Sequence, residues 1–152
     1  MRLHVFLALV LLSCLSGPAS AQVAGRIYLT SPMAARNQLP FSSAVLAGNT
    51  LYIAGTTALR PGVKNAFSPV QEARAVMDDV KRVVERAGMT MDDVVSIQVF
   101  CTDLTDYGAF NRVYATYFHG HYPARAFIGA ANLLFGARYE VMGMAVRRQS
   151  HD

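Results

Sequence analysis

Ser68 to Thr102, SPVQEARAVMDDVKRVVERAGMTMDDVVSIQVFCT, is the stretch that decides the fold. Ser68 is a helix cap, Pro69 suits a first helical turn, and Gln71 stands where it completes a capping box. Ala73, Val76, Met77, Val80, Val83, Val84 and Ala87 then recur at helical spacing, and Gly88 is the stop. Glu72, Arg74, Asp78, Asp79, Lys81, Arg82, Glu85 and Arg86 fall on the other face, which reads as solvated. Val94 to Thr102 follows as a strand rich in β-branched residues. Period two puts Val95, Ile97, Val99 and Cys101 on one face and Ser96, Gln98 and Thr102 on the other. An amphipathic helix running straight into a long strand predicts a helix laid on a sheet.

Towards the N-terminus, Phe41 to Leu46 and Thr50 to Ala58 are apolar, β-rich runs split by Gly48-Asn49, a hairpin signal. Arg26 to Leu29 reads as a short edge strand, Pro32 and Pro40 bound a connector, and Leu59 to Phe67 reads as a loop. Towards the C-terminus, Thr105 or Asp106 caps a second helix. Its buried stripe is Phe110, Val113, Tyr114, Tyr117 and Phe118, and Gly120 ends it. Ala126 to Ala130 is a short strand and Arg138 to Val146 the last one. The order β-β-β-α-β-α-β-β predicts an α+β fold, a mixed sheet with two helices packed on one face. The second face, if apolar, needs a cover, and for so short a chain the expected cover is another copy of itself.

The chain has 152 residues, 53% hydrophobic and only 16% charged, enough for one domain with its own core. The net charge of +4 is scattered, and no basic run exceeds two residues, as at Arg147-Arg148, too little for a nucleic-acid groove. Two cysteines exclude a disulfide framework and a cysteine-built zinc site. Met1 to Ala21 reads as a signal peptide. A short basic start precedes an apolar run, then Gly17-Pro18 and the small residues Ala19-Ser20-Ala21, with Gln22 as the new N-terminus. The expectation is an exported, periplasmic protein. A lipoprotein reading through Leu11-Leu12-Ser13-Cys14 ranks below it. No other stretch is long and apolar enough to span a bilayer, so no membrane contact is expected after signal removal. The division is 1–21 signal, 22–38 N-terminal segment and 39–148 domain.

Two side chains are chemically out of place. Arg125 follows Pro123-Ala124 and enters the apolar run Ala126-Phe127-Ile128. Either it is a snorkelling or salt-bridged arginine, or its planar fork awaits a carboxylate. Glu140, in the last strand, shares a face with Met142, Met144 and Val146. Either it pairs with Arg125 or Arg138, or it is an acid poised to exchange a proton with a water. His119-Gly120-His121 has no third ligand type nearby and is a weak metal signal. There is no serine elbow, phosphate loop or dinucleotide fingerprint, so no cofactor is signalled.

From Leu39 to Arg148 the chain resembles the Rid family of YjgF-like proteins. The resemblance rests on Pro40-Phe41-Ser42-Ser43-Ala44-Val45, Gly48 to Thr56, Val99 to Leu104 and Phe110-Asn111-Arg112-Val113-Tyr114. Most specific are Tyr122-Pro123-Ala124-Arg125-Ala126 and Gly136-Ala137-Arg138-Tyr139-Glu140-Val141. The resemblance implies a chorismate-mutase-like homotrimer with ligand clefts between subunits. It also implies cofactor-free and metal-free hydrolysis of 2-imino acids or enamines to 2-oxo acids and ammonia. On that reading Arg125 clamps the substrate carboxylate and Glu140 activates water. The Gly55 N–H orients the substrate and Asn111 supports the cleft. Phe41 and Phe127 line it where the family usually has a phenol and a small Cys or Ser, which points to an apolar side chain on the substrate. The alternative is a non-catalytic trimer that binds a small carboxylate ligand or a client protein.

Overall fold

The computed structural model describes residues 25–62 and 64–148; the expected signal segment, its cleavage site and Cys14 lie outside them. The elements are β1 (Arg26–Leu29), α1 (Pro32–Arg36), β2 (Ala44–Ala47), β3 (Thr50–Thr57), α2 (Pro69–Arg86), β4 (Val94–Cys101), α3 (Tyr107–Tyr114), β5 (Ala124–Gly129) and β6 (Tyr139–Val146), with single 3-10 turns between some of them. The capping box forms as expected. The Gln71 N–H donates to the Ser68 hydroxyl, and the Ser68 N–H donates to the Gln71 side chain at 2.9 Å.

The six strands form one sheet in the order β1-β2-β3-β6-β4-β5. Every neighbouring pair is antiparallel except β4 and β5, whose parallel pairing needs the α3 crossover between them. β1 and α1 come from the segment ahead of residue 39, so that segment contributes to the same sheet. Helix α1 corrects the expected connector. Ser31 accepts from the Ala34 N–H at 3.1 Å with Pro32 in the first turn, the same cap-and-proline pair that starts α2.

The core fills the space between one sheet face and the helices. Ala73, Val76, Met77, Val80 and Val84 of α2 and Phe110 and Val113 of α3 are buried against Leu51, Ile53, Ile97, Val99, Cys101, Tyr139, Val141 and Ala145. The other face is open and largely apolar, exposing Tyr52, Ile128, Met142 and Met144.

Two expectations about faces fail. Val95 is exposed and Val94 is buried in its place, because the β4–β6 register slips between Val94 and Ser96 and turns one residue outward. Glu72 and Asp79, expected on the solvated face of α2, are both buried. Asp79 is held by ion pairs to Arg60 at 3.0 Å and to Arg82. Glu72, fully enclosed, accepts from the backbone N–H of Arg138 at 2.5 Å and of Tyr139 at 3.4 Å, and from the Asn65 amide at 2.8 Å. A buried carboxylate is tolerable only when so satisfied.

Candidate active site

Arg125 lies on β5 opposite Ile97 of β4, and Phe127 lies opposite Val99. Ile97 and Val99 are core residues, so Arg125 and Phe127 point to the helix side of the sheet. There α3 presents Tyr107, Asn111 and Tyr114, spaced so that all three share one stripe. Arg125 Nη2 donates to Asn111 Oδ1 at 2.7 Å and lies 3.5 Å from the Tyr107 hydroxyl. Its guanidinium carbon sits 4.5 Å from the centre of the Tyr114 ring.

Among the described residues no carboxylate pairs with Arg125. Its charge is steadied by an amide and by π faces, and donors on the fork stay free. An open pocket of about 430 Å³ adjoins it, lined by Asn111, Tyr114, Ala115, Tyr122, Pro123 and Arg125. Phe127 packs edge-on against Tyr107 at 5.0 Å and Phe110 at 5.5 Å, joining the stripe to the core. The phenols differ in acidity. The Asn111 amide, helped by the Arg125 charge, makes Tyr107 more acidic than a free tyrosine. Burial pushes Tyr114 up to about 12, and its hydroxyl is enclosed without a partner.

Glu140 belongs to the other side. It stands opposite Phe100 of β4, which in turn stands opposite Ile128 of β5, and these residues share the open face. The ion-pair alternative for Glu140 does not form among the described residues: Arg125 pairs with no carboxylate, and Arg138 lies 3.4 Å from Glu72 and 3.6 Å from Asp106 instead. Gly55 sits where the β3–β6 register shifts between Ile53 and Thr56, and a Cβ there would collide with the Glu140 carboxyl. The glycine is what lets that carboxyl lie against the backbone. Phe41 is exposed ahead of β2, and neither it nor Gly55 lines the Arg125 pocket.

Of the six residues singled out in the sequence, the fold therefore gathers Arg125, Asn111 and Phe127 on one face and Glu140 with Gly55 on the other. Sequence reasoning missed Tyr107, Tyr114 and Tyr122. The signal was there in the spacing of Tyr107 and Tyr114 around Asn111, which puts both rings beside any group that Asn111 touches.

The fold has known relatives. Residues 32–147 match the family model described as Endoribonuclease L-PSP. The chain belongs to the Rid (YjgF-like) family. Among Rid relatives, it is 32% identical over 120 residues to the 2-iminobutanoate/2-iminopropanoate deaminase of Dermatophagoides farinae, covering 78% of this chain and 94% of that protein. It is 36% identical over 110 residues to the protein of the same name from Mus musculus, covering 71% and 82%. The crystal structure of Escherichia coli TdcF with bound serine superposes with a TM-score of 0.67 at 28% identity, over 72% of this chain and 89% of that one.

Proposed function

We propose that this Rid-family chain hydrolyses small 2-imino acids or their enamine tautomers to 2-oxo acids and ammonia, without a cofactor, in a cleft shared between copies of the chain. The observation that carries the reading is the free fork of Arg125 at an aromatic-walled pocket. A guanidinium with no carboxylate partner is a ready receptor for one, and two parallel charge-assisted bonds fix the ligand's plane as well as its charge. The pocket is sized for a small acid. The deaminase names of the two relatives and the serine held by TdcF, itself an α-amino carboxylate, support the same ligand class.

Arg125 holds the substrate carboxylate and so fixes the adjacent C=N carbon. Glu140, as a carboxylate, takes a proton from water attacking that carbon and returns it to the departing nitrogen. Within one chain the two groups lie on opposite faces of the sheet, so the acid meeting Arg125 comes from a second copy. The apolar open face that carries Glu140 is the surface such a copy would cover, and a closed trimer meets both needs. Export through Met1 to Ala21 belongs to this reading too.

The test is complementation. Arg125→Ala and Glu140→Ala chains, each inactive alone, are mixed, unfolded and refolded together. Random pairing at a two-chain site restores intact Arg125–Glu140 pairs at about a quarter of the sites, read as oxo-acid release. No recovery from mixed assemblies would sink the shared cleft. Gly55→Ala offers a milder check. The flexible Glu140 end can swing away, so the melting temperature should change little while activity falls at least about tenfold, since a displacement of about 1 Å costs far more than that.

A further inference from the structure

We propose that the Tyr107 phenol is the acid that protonates the imine nitrogen, an inference that rests on the hydrolytic reading above. Water adds readily to a C=N carbon only once the nitrogen carries a proton. A guanidinium in a protein gives up no proton. Glu140 is occupied with the water and approaches from another copy. Two phenols, Tyr107 and Tyr114, lie against the guanidinium and a third, Tyr122, lines the same pocket, and they are not equivalent. The Tyr114 hydroxyl is enclosed. Tyr122 borders the pocket from the strand side, beside Pro123. Tyr107 is half-exposed, its hydroxyl 3.5 Å from the Arg125 nitrogen that also bonds Asn111. Its ring is held edge-on by Phe127 at 5.0 Å, so the hydroxyl is aimed rather than free to wander. A substrate carboxylate held by Arg125 shares that guanidinium with the Tyr107 hydroxyl, and we place the adjoining C=N group beside it.

The groups facing Tyr107 also suit an acid. Arg125 on β5 is the charged group beside it, Asn111 on its own helix the polar one, and Phe127 supplies the apolar wall. The Asn111 amide and the Arg125 charge both favour phenolate, which strengthens Tyr107 as a donor. The protons balance as follows. The phenol O–H bond breaks and the proton goes to nitrogen, giving an iminium and a phenolate. Water oxygen bonds to carbon as its proton passes to Glu140. The Glu140 proton then goes to nitrogen. The C–N bond breaks as the carbinol O–H proton returns to the phenolate, releasing the oxo acid and ammonia.

The experiment is steady-state hydrolysis of oxidase-generated 2-imino acids by wild type and Tyr107→Phe from neutral to strongly alkaline pH. Phenylalanine keeps the ring and its packing against Phe127. The expected result is a kcat lower by about 10²-fold, a KM within about twofold, and loss of the descending alkaline limb that the wild type shows. An unchanged kcat, a rise in KM alone, or a retained alkaline limb would overturn the assignment while leaving the hydrolytic reading standing. Wild type with no acceleration over buffer removes that reading and this one together. Independently of turnover, the phenolate absorbance difference between the two proteins should show Tyr107 ionising below free tyrosine. Ionisation at or above it refutes the proposal.

Discussion

Arg125→Ala should lower kcat/KM for 2-imino acid hydrolysis by about 10³-fold and leave the melting temperature nearly unchanged. The size follows from the bonds removed. A fork on a carboxylate makes two charge-assisted hydrogen bonds, each contributing about 1.5–3 kcal/mol. Losing both costs about 3–6 kcal/mol, and each 1.4 kcal/mol is about tenfold. The small effect on stability follows from the surroundings. Arg125 pairs with no carboxylate among the described residues, so its removal strands no buried charge. It gives up one hydrogen bond to Asn111 and its stacking on Tyr114. Arg125→Lys should recover little, because an ammonium cannot reproduce the planar two-point contact. Oxo-acid release and thermal melting measure the two halves of the expectation. Activity within tenfold of wild type in the alanine variant would remove the clamp from the mechanism.

Glu72→Ala should do the reverse, destabilising the fold by about 3–5 kcal/mol, in the range found when one partner of a buried charged network is deleted. The carboxylate is wholly enclosed and joins three parts of the chain. It receives the N–H groups of Arg138 and Tyr139 at the start of β6, the Asn65 amide from the loop ahead of α2, and the Arg138 guanidinium at 3.4 Å. Alanine leaves those donors facing a void. Chemical denaturation should show the loss as a lower midpoint with little change in slope, and Glu72→Gln, which keeps the shape and one acceptor, should recover part of it. A cost under about 1 kcal/mol, ordinary for a surface residue, would mean that the network is dispensable. Activity should fall as well, since Glu140 follows Arg138 and Tyr139 directly.

Glu72 also marks how far the sequence could be read. Helix α2 was legible to within a residue or two because its cap, its apolar spacing and its terminal glycine all lie inside the helix and its flanks. The β2–β3 hairpin was legible for the same reason. Burial of Glu72 was not, because its partners lie as far as 67 residues downstream. Val95 was misplaced because a bulge breaks the period of two, and the bulge is set by the partner strand. The neighbours of β6 could not be read either, since nothing local tells the last strand to enter the middle of the sheet. The candidate site divides in the same way. Arg125 and Glu140 stood out as charges in apolar strands. That they occupy opposite faces emerged only from the registers of β4 with β5 and β6.

The central position of β6 has a consequence for how the protein comes into being. Residues Tyr139–Val146 bond to β3 on one side and to β4 on the other. While a ribosome is still making them, the nascent chain holds two unconnected fragments, β1-β2-β3 and β4-β5, each with an unsatisfied strand edge open to passing chains. Their union waits for contacts such as Thr50 with Val146, which close a very long loop and so form slowly. The molecule's most hazardous interval is thus the time before β6 has emerged and docked, when chaperone demand and aggregation should both peak.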